Sequence, residues 1–426
     1  MSAPIPHRPG ALAALKARGF FQQCTDEAAL AEALDQGPVT FYSGTDPTAK
    51  SLHIGHMVPI YALAHLAQYG HRAIVLVGTG TARIGDPTGR SELRTMMTAE
   101  AIDANADAIA AQLERFLGAV GVQFVPVRNW DWLGGLGYIE FLRDIGTHFS
   151  VNRMLTFETY KARMETGLSF IEFNYQLLQS YDFLELNRHH DCTLQIGGDD
   201  QWGNIVAGAD LIRRVRGNTV DAFGLTFPLI TRADGKKMGK SESGAVYLDP
   251  SLYRPFDFYQ YLRNVADADV QRFLKLFTFL PVEEIEQLTA GVGAELNVAK
   301  ERLAYETTLL VHGQAEAQAA RDAAKALFGG GGDIQAMPSA ELTLAEVYQG
   351  IAAVDLFERA GLAASKGEAR RLIQQGGARV NDQKVAAVDT TIATEHLADA
   401  PDDDTRQLVL RAGKKRFFRF LVREQD

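Results

Sequence analysis

Cysteine is scarce in this chain, and its placement excludes a disulfide framework. Only two of the 426 residues are cysteines, Cys24 and Cys192, and neither belongs to a Cys-x-x-Cys pair. Small secreted domains depend on dense disulfides, whereas cytosolic proteins keep their thiols reduced. No Cys/His cluster has the spacing of a zinc site either. The sequence therefore predicts a cytosolic protein with two reduced thiols and no bound metal.

Long apolar runs are also missing. No stretch approaches the roughly 20 apolar residues needed to cross a bilayer, and the first twenty residues lack the apolar segment of a secretory signal. We therefore expect neither a membrane span nor export. Hydrophobic residues make up 46% of the chain and charged residues 23%, proportions that are typical of a soluble globular enzyme.

Positive charge is in short supply. The chain has 43 Lys and Arg residues against 53 Asp and Glu residues, a net charge of -10. Such a protein does not coat nucleic acid, although local basic patches can still bind it. One such stretch exists, because residues 406–423 contain seven Lys or Arg residues and no Asp or Glu.

The first half of the chain alternates strands with helices. Residues 38–42 form a β-prone run, 53–69 form a largely apolar stretch that stops at Gly70, and 73–77 form a continuous apolar run. Continuous apolar runs are typical of strands buried on both faces, so the alternation predicts a parallel α/β sheet. Pro59 lies inside the proposed helix and is expected to bend it.

A second β-prone run, 192–196, leads directly into the polar residues 197–201. In open parallel sheets, ligands bind beyond the carboxyl ends of the strands. The polar residues that follow this run are therefore candidates for a binding site.

The later part of the chain changes character twice. From about residue 255, apolar residues such as Val270, Phe273 and Phe277 recur at helical spacing, and four glycines at 329–332 indicate a flexible linker. A small α/β region follows, in which Ser365 and Glu368 match a helix capping box. We predict an α/β catalytic domain over 1–245, a helical domain over 246–328, a linker over 329–353 and a small α/β domain over 354–426.

The segment His53-Ile54-Gly55-His56 follows a predicted strand and loop and begins a predicted helix. A helix N-terminus has free N–H groups and partial positive charge, which suit phosphate. Two histidines there can donate to a triphosphate as charge develops in the transition state, and Gly55 would let a nucleotide lie close to the backbone. The alternative interpretation is two surface histidines near a helix start.

The segment Lys236-Lys237-Met238-Gly239-Lys240-Ser241 lies among polar and small residues. Lysines on such a loop can close over pyrophosphate, although a solvated basic loop is the better interpretation of this run alone. The presence of the histidine segment upstream favours nucleotidyl transfer.

These two segments resemble the signature motifs of class I aminoacyl-tRNA synthetases, with Gly239 in place of a serine. Four further segments, 42–49, 84–87, 175–182 and 195–204, narrow the resemblance to the bacterial-type tyrosyl-tRNA synthetases. The resemblance covers nearly the whole chain. It implies an α/β fold with a Rossmann-like parallel-sheet catalytic domain, a helical anticodon-binding domain and a small S4-like RNA-binding domain.

The resemblance also implies the reaction and its tyrosine-binding residues. L-Tyrosine would be activated with ATP to tyrosyl-adenylate and pyrophosphate, and then transferred to the 3′ end of tRNA(Tyr). Tyr42 and Asp182 would hold the phenol hydroxyl, which both donates and accepts a hydrogen bond. The remaining tyrosine contacts implied are Asp86, Tyr175 and Gln179 at the ammonium group and Gln201 at the carboxylate.

ATP contacts follow from the same matching of motifs. Asp46, Gly198 and Asp200 would contact the adenosine or ribose, and Gly55 would lie beside the nucleotide. The implied phosphate contacts are Thr48, His53, His56, Arg90, Arg94, Lys237 and Lys240. Two positions depart from the family pattern. Asp199 replaces the usual serine and adds negative charge beside the expected ribose contact, and Thr45 occupies a variable, often bulkier position.

The resemblance implies ATP as a substrate, Mg²⁺ as the counter-ion of ATP and no tightly bound cofactor. A homodimer is expected, with an interface in an insertion that carries Phe149, Phe157, Phe170 and Phe173. Neither a membrane nor a compartment other than the cytoplasm is implied. In the S4-like domain, the residues expected at RNA phosphates are Arg370, Arg371, Arg379, Lys384, Lys414, Lys415 and Arg416.

Three other functions share part of these signals. A tryptophanyl-tRNA synthetase-like enzyme has the same fold, but an indole offers only a donor and would not need both Tyr42 and Asp182. A non-catalytic RNA-binding paralogue would not need the two histidines and the lysines. A small-molecule nucleotidylyltransferase is disfavoured by the lysine segment and the basic C-terminal region.

Overall fold

The computed structural model divides the chain into two compact units, residues 1–314 and 315–426. It describes residues 5–88, 97–231, 233, 238, 240–241, 244–328, 338–400, 406–413 and 416–423. The glycines at 329–332, from which the linker is predicted, lie outside the described residues.

The first unit is built on a six-stranded sheet of order β1-β6-β5-β2-β3-β4. Its neighbouring strands are parallel except for the antiparallel pair of β1 and β6. The strands are β1 (Gln23–Cys24), β2 (Thr40–Thr45), β3 (Arg72–Val77), β4 (Phe124–Arg128), β5 (Cys192–Gly198) and β6 (Phe223–Phe227). A separate hairpin pairs β7 (Lys240–Ser241) with β8 (Gly244–Ala245). The predicted parallel α/β sheet is confirmed, since β3 and β5 cover the runs at 73–77 and 192–196 and β2 overlaps the run at 38–42.

Helices pack on this sheet and continue beyond it. They are α1 (Ala11–Arg18), α2 (Glu27–Gln36), α3 (Met57–Gln68), α4 (Ala99–Ala119), α5 (Trp130–Leu133), α6 (Tyr138–Asp144), α7 (Val151–Met154), α8 (Glu158–Thr166), α9 (Phe170–Phe173), α10 (Tyr175–His190), α11 (Trp202–Arg216), α12 (Pro255–Arg263), α13 (Asp267–Phe277), α14 (Val282–Leu288) and α15 (Leu296–His312). The next helix, α16 (Gln314–Phe328), belongs to the second unit except for its first residue. In the described part of the chain, no helix has both the length and the apolar composition to span a bilayer.

The helix that carries the first motif differs from the sequence prediction. Residues 54–56 form one 3₁₀ turn, and α3 begins only at Met57. Pro59 therefore lies in the first turn of α3, where the N–H that proline lacks would have no intrahelical partner, so it need not bend the helix as predicted. Gly70 follows the helix with φ 87°, a left-handed conformation suited to a helix stop.

Apolar periodicity correctly identified the buried faces. Ile74 and Leu76 on β3 are buried, as expected for a central strand covered on both faces. On α13, Val270, Phe273 and Phe277 are all fully buried at the predicted helical spacing. The polar ends of the strands are therefore supported by a closely packed apolar layer.

The second unit contains its own sheet. Strands follow the order β12-β11-β15-β16-β9, and β14 pairs with β15. The strands are β9 (Ser339–Thr343), β10 (Ile351–Ala352), β11 (Ala378–Val380), β12 (Gln383–Lys384), β13 (Thr391–Ile392), β14 (Ala398–Asp399), β15 (Arg406–Ala412) and β16 (Arg416–Arg423), and the helices after α16 are α17 (Leu344–Gln349), α18 (Ala353–Arg359) and α19 (Lys366–Gln374). Phe357 and Phe420 lie at the centre of its apolar core.

Two local predictions for this unit need correction. Part of the segment assigned to a linker is structured, because β9, α17 and β10 lie within 329–353 and β9 pairs with β16. The glycine run dominated the sequence signal there and obscured the short strand. The capping box is only half formed. Ser365 accepts from the N–H of Glu368, but the Glu368 carboxylate accepts from Ala364 instead of Ser365.

Candidate active site

A buried tyrosine and a buried aspartate lie at the inner end of the site. Tyr42 on β2 and Asp182 on α10 are each 2% exposed, and Tyr42 belongs to an apolar cluster that also contains Tyr181 and Phe183, the two chain neighbours of Asp182. Asp182 accepts hydrogen bonds from Trp132 Nε1 at 2.7 Å and Asn129 Nδ2 at 3.0 Å. The Tyr42 hydroxyl is buried with no hydrogen-bond partner among the described residues, and its ring packs against Phe183. This pocket can therefore offer a polar ligand both a donor and an acceptor.

Burial controls the protonation of both groups. It raises the pKa of Asp182 to about 8, although the hydrogen bonds from Asn129 and Trp132 oppose the shift. Burial also raises the pKa of Tyr42 well above its usual value, and the nearby Asp182 adds to the effect. The Tyr42 hydroxyl therefore keeps its proton at neutral pH and remains a donor.

A chain of hydrogen bonds leads from this pocket to Asp46. Asn129 Nδ2 also donates to Thr81 Oγ1 at 2.9 Å, and Thr81 donates to Asp46 Oδ1 at 2.7 Å. The Tyr175 hydroxyl donates to the other Asp46 oxygen at 2.9 Å. Asp182 and Asp46, which the sequence analysis assigned to different substrates, are thus connected through Asn129 and Thr81.

Sequence reasoning missed three members of this network, Asn129, Trp132 and Thr81. A usable signal existed for Asn129, because it directly follows β4 at the carboxyl edge of the sheet. Pro126 interrupts the apolar pattern of that strand, and proline is tolerated on edge strands. Gly78 was missed too. A Cβ atom there would lie 2.0 Å from Asp46 Oδ1 and 2.4 Å from Thr81 Oγ1, so only glycine leaves room for that hydrogen bond.

A second group of oxygen-bearing side chains surrounds Asp86. Gln201 Nε2 donates to Asp86 Oδ2 at 2.8 Å. Asn204 Nδ2 donates to Gln179 Oε1 at 2.9 Å and is 3.2 Å from Gln201 Oε1. The structure therefore brings Asp86, Gln179 and Gln201 together, with Asn204 as a link that the sequence did not predict. Carboxylate and amide oxygens accept hydrogen bonds, so this cluster suits an ammonium group, which only donates them.

Asp199 and Asp200, which follow Gly198 at the end of β5, make different contacts. The Asp199 carboxylate accepts from Gln23 Nε2 at 2.7 Å and from Thr226 Oγ1 at 2.9 Å, so it is bound to β1 and β6. Asp200 lies over Gly198, where a Cβ would meet Asp200 Oδ1 at 2.6 Å. The Asp199 carboxylate is thus hydrogen-bonded within the protein. The aspartate that stands in place of the usual serine therefore does not disturb the contact between Gly198 and Asp200.

The histidine pair is held in one tautomer by the backbone. His53 Nδ1 accepts from Gly55 N–H, and His56 Nδ1 accepts from His53 N–H, each at 3.1 Å. Burial lowers the pKa of both rings, to about 3 for His56, where the adjacent His53 contributes as well. Since Nδ1 accepts in each neutral ring, the proton lies on Nε2. The pair therefore presents two neutral N–H donors, a suitable arrangement beside phosphate.

Gly55 is needed for a closer reason than the one predicted. A Cβ there would lie 2.9 Å from the His53 ring, so the glycine accommodates the histidine itself. The same position lies 3.6 Å from the backbone oxygen of Met238. In addition, Ile54 N–H donates to Val246 O at 2.9 Å. Met238 of the lysine segment and the chain that follows the segment thus both contact the histidine segment.

The side chains of four predicted phosphate contacts lie outside the described residues. Arg90, Arg94 and Lys237 lie outside the described residues, and so does the side chain of Lys240, whose backbone belongs to β7. Thr48 is exposed, and its N–H donates to Asp46 O at 2.8 Å.

Comparison with known proteins defines the family. Residues 34–329 match the family model described as "tRNA synthetases class I (W and Y)", and 333–420 match the "Tyrosine--tRNA ligase SYY-like C-terminal domain". The tyrosine–tRNA ligase of Treponema denticola is 57% identical over 96% of this chain and 99% of its own length. The chain belongs to the tyrosine–tRNA ligases, class I aminoacyl-tRNA synthetases. The resemblance noted from the motifs is thereby confirmed.

Two other members of the tyrosine–tRNA ligase family are also similar to this chain. The Treponema pallidum ligase is also 57% identical, over 97% of this chain and 98% of its own length. A solved structure of a C-terminally truncated mitochondrial tyrosyl-tRNA synthetase from Aspergillus nidulans is 32% identical, with a TM-score of 0.68 over 75% of this chain and 94% of the other. Membership of class I implies that this tyrosine–tRNA ligase uses ATP.

The raised pKa of Asp182 predicts a pH-dependent stability. Between the ordinary value of 3.8 and about 8, the folded protein keeps a proton that the unfolded chain loses. The free energy of unfolding should therefore fall as pH rises through this window, and level off above it. Asp182→Asn removes this titration, so its urea midpoint should fall less between pH 5 and pH 8. Parallel pH profiles for parent and variant would contradict the assigned shift.

Proposed function

We propose that this chain activates L-tyrosine with ATP and then transfers the tyrosyl group to the 3′ end of tRNA(Tyr). A carboxylate oxygen of tyrosine attacks the α-phosphorus of ATP, the bond to the bridging oxygen of the β-phosphate breaks, and pyrophosphate leaves. The attacking carboxylate is already ionised, so the protein mainly positions the reactants and stabilises charge. The observation that carries this proposal is the buried pair of Tyr42 and Asp182 in an apolar pocket.

The described residues suit distinct parts of the two substrates. Tyr42 and Asp182 would bind the phenol hydroxyl; the polar cluster around Asp86 would bind the ammonium group. The neutral histidine pair would donate to phosphate from Nε2. The remaining proposed contacts are Tyr175, Gln179 and Gln201 for tyrosine, Asp46, Gly55, Gly198 and Asp200 for adenosine, and Thr48, Arg90, Arg94, Lys237 and Lys240 for phosphate.

We propose Mg²⁺ as the counter-ion of ATP. Mg²⁺ usually keeps several waters and binds mainly to substrate phosphates, so it needs no protein cage. Within the described ranges, no group of three or more His, Cys, Asp or Glu residues could hold a metal. Such an ion would neutralise the phosphate charge that the carboxylate must approach. We place the reaction in the cytoplasm, where the two free cysteines, Cys24 and Cys192, would stay reduced.

ATP–pyrophosphate exchange measured with each of the twenty amino acids tests the activity. Exchange with tyrosine supports the proposal. Exchange with tryptophan would favour the tryptophanyl alternative, and no exchange with any amino acid would favour a non-catalytic RNA-binding paralogue.

Loss of either polar group at the phenol pocket should weaken selection against phenylalanine. Leaving a buried polar group without its partner costs about 1–3 kcal/mol, so Tyr42→Phe and Asp182→Asn should each lower the ratio of kcat/KM for tyrosine over phenylalanine roughly 10- to 100-fold. Tyr61→Phe is a matched control, since it removes a buried hydroxyl that donates to Phe277 O outside the site. Unchanged discrimination in both pocket variants would show that the pocket is wrongly assigned.

We also propose a homodimer through the segment between β4 and α10. Apolar side chains there are unusually exposed: Tyr138 59%, Ile139 68%, Val151 56%, Met164 57% and Phe170 70%. Exposed apolar clusters commonly mark protein interfaces. Phe149, Phe157 and Phe173 instead pack partly against the monomer core, so Phe170 is the predicted phenylalanine that faces outward.

A buried ion pair supports the segment that carries the exposed Phe170. Arg163 donates to both oxygens of Glu172 at 3.0 Å, and Glu172 also accepts from Ser169 Oγ at 2.8 Å. This charge-assisted pairing, in which Arg163 Nη2 is the donor to both oxygens, holds α8 against α9. Phe170, the first residue of α9, is thus kept in place although its large apolar ring is exposed, which favours a partner surface over a loose segment.

The parent protein should sediment as a dimer at micromolar concentration, and Phe170→Glu should shift it towards the monomer by placing charge in an apolar interface. Val292→Glu is the control, because Val292 is 79% exposed but lies outside this segment. A parent that sediments as a monomer, or equal effects from both variants, would refute the interface.

For the later domains, we propose that residues 246–328 bind the anticodon arm and that the S4-like domain at 354–426 binds RNA. In its sheet, Lys384 lies opposite Arg379, and Arg379 lies opposite Arg411. Like charges directly opposite each other destabilise a sheet, and RNA phosphates would neutralise this row. Arg370, Arg371 and Arg416 belong to the same proposed surface, whereas Lys414 and Lys415 lie outside the described residues.

Removal of residues 329–426 should leave tyrosine-dependent pyrophosphate exchange within a few-fold of the parent and reduce tRNA charging. Every proposed contact with tyrosine or ATP precedes residue 243, so the activation site should survive. The truncated protein should also show a weaker dependence of tRNA affinity on salt, since fewer phosphates are neutralised. Both activities are to be measured on one sample. Unchanged charging would refute the role of the C-terminal domain, and lost exchange would refute the boundary.

A further inference from the structure

The loop at 46–52 connects β2 to the histidine pair, and its far end is fully hydrogen-bonded. Leu248 N–H donates to Leu52 O at 2.8 Å, and Ile54 N–H donates to Val246 O at 2.9 Å. His53 N–H donates to the His56 ring. The backbone around His53 is thus held on one side by the chain that follows the lysine segment. The N–H of Leu52, like that of His53, donates to a side chain.

The side chain that accepts from Leu52 comes from α4, which contributes two amides to the loop. Gln112 Oε1 accepts from Leu52 N–H at 3.1 Å, and Asn105 Nδ2 donates to Pro47 O at 3.1 Å. The two residues are seven positions apart, about two helical turns, and therefore share one face of α4. Each binds one end of the loop, so a single rigid helix sets the distance between the two ends.

Ser51 joins this contact to the chain beyond the lysine segment. Its hydroxyl oxygen accepts from Asp249 N–H at 3.1 Å and lies 2.7 Å from Leu52 O and 3.3 Å from Gln112 Oε1. The single hydroxyl proton can serve only one of those two oxygens. Ser51 and Gln112 together thus connect three segments: α4, the loop, and residues 246–249.

We propose that Gln112 and Asn105 are positioning residues for adenylate formation, with Gln112 fixing the histidine pair and Asn105 fixing the Asp46 end of the loop. This role rests on the proposed function. Donors that stabilise a transition state must be in place before charge develops on the phosphate. Gln112 orients the backbone that carries His53, and it acts without touching the substrates.

Gln112→Leu keeps the bulk of the side chain but removes the acceptor. It should lower kcat of tyrosine-dependent pyrophosphate exchange roughly 10- to 100-fold, the range expected when catalytic groups shift by about 1 Å. KM for tyrosine should change less than twofold, because the interaction lost acts in the transition state. Gln112→Glu retains an acceptor for Leu52 N–H and should recover most of kcat. Asn105→Leu should mainly raise KM for ATP.

Two further measurements separate positioning from general damage. Glu114→Gln is the control on α4, since Glu114 is exposed and should behave as the parent. Amide hydrogen exchange over residues 46–56 reports the geometry without any reaction: it should accelerate at least tenfold in Gln112→Leu and remain near the parent rate in Gln112→Glu.

The outcomes are distinct. Unchanged kcat in Gln112→Leu, a parallel rise in KM for tyrosine, or a Gln112→Glu variant as slow as Gln112→Leu would each overturn the positioning role. A parent that exchanges pyrophosphate with another amino acid overturns the proposed substrate, and the same kcat effect measured with that amino acid would still uphold Gln112. A parent with no exchange overturns the proposed activity, and unchanged amide exchange in Gln112→Leu would then overturn the contact as well.

Discussion

The buried carboxylate of Asp182 is the interaction on which the catalytic half depends. A carboxyl group in an apolar cluster is costly unless hydrogen bonds satisfy it, and here Asn129 and Trp132 supply them. Asn129 can do so because its other bonds, to Thr81 and to the N–H of Gly80, hold its amide in place. The same network continues to Asp46. The side chains of Asp182, Asn129, Thr81 and Asp46 are therefore oriented by one another before a ligand arrives, whereas the Tyr42 hydroxyl has no partner among the described residues.

Around His53, where ATP is proposed to bind, buried polar groups are satisfied in the same way, but most of them belong to the backbone. Buried N–H and C=O groups need partners, and those around His53 find them in the His56 ring, in residues 246–248 and in Gln112. One result is chemical: both imidazoles are neutral with their proton on Nε2. Another is spatial, because the chain beyond the lysine segment pairs with the residues before the histidines.

Patterns that depend on near neighbours were read correctly from the sequence. A continuous apolar run predicted β3, a β-prone run predicted β5, and helical spacing predicted the buried face of α13. Errors arose where one signal dominated. Pro59 lies in the first turn of a helix that begins later than predicted, and the glycine run obscured the short strand β9. Asn129 was not predicted as a site residue because Pro126 interrupts the apolar pattern of β4, the strand that Asn129 follows.

The amino-acid sequence by itself determined the family and the parallel sheet, because ordered motifs and periodicity are local properties. Tertiary structure alone decided which groups pair. Trp132 reaches Asp182 across 50 positions, and Asp199 turns to Gln23 across 176. Such partners are selected when packing brings distant segments together and buried polar atoms must be satisfied. No local pattern encodes that choice, so the direction of Asp199, the tautomer of the histidines and the contact of Gln112 emerge only in the folded chain.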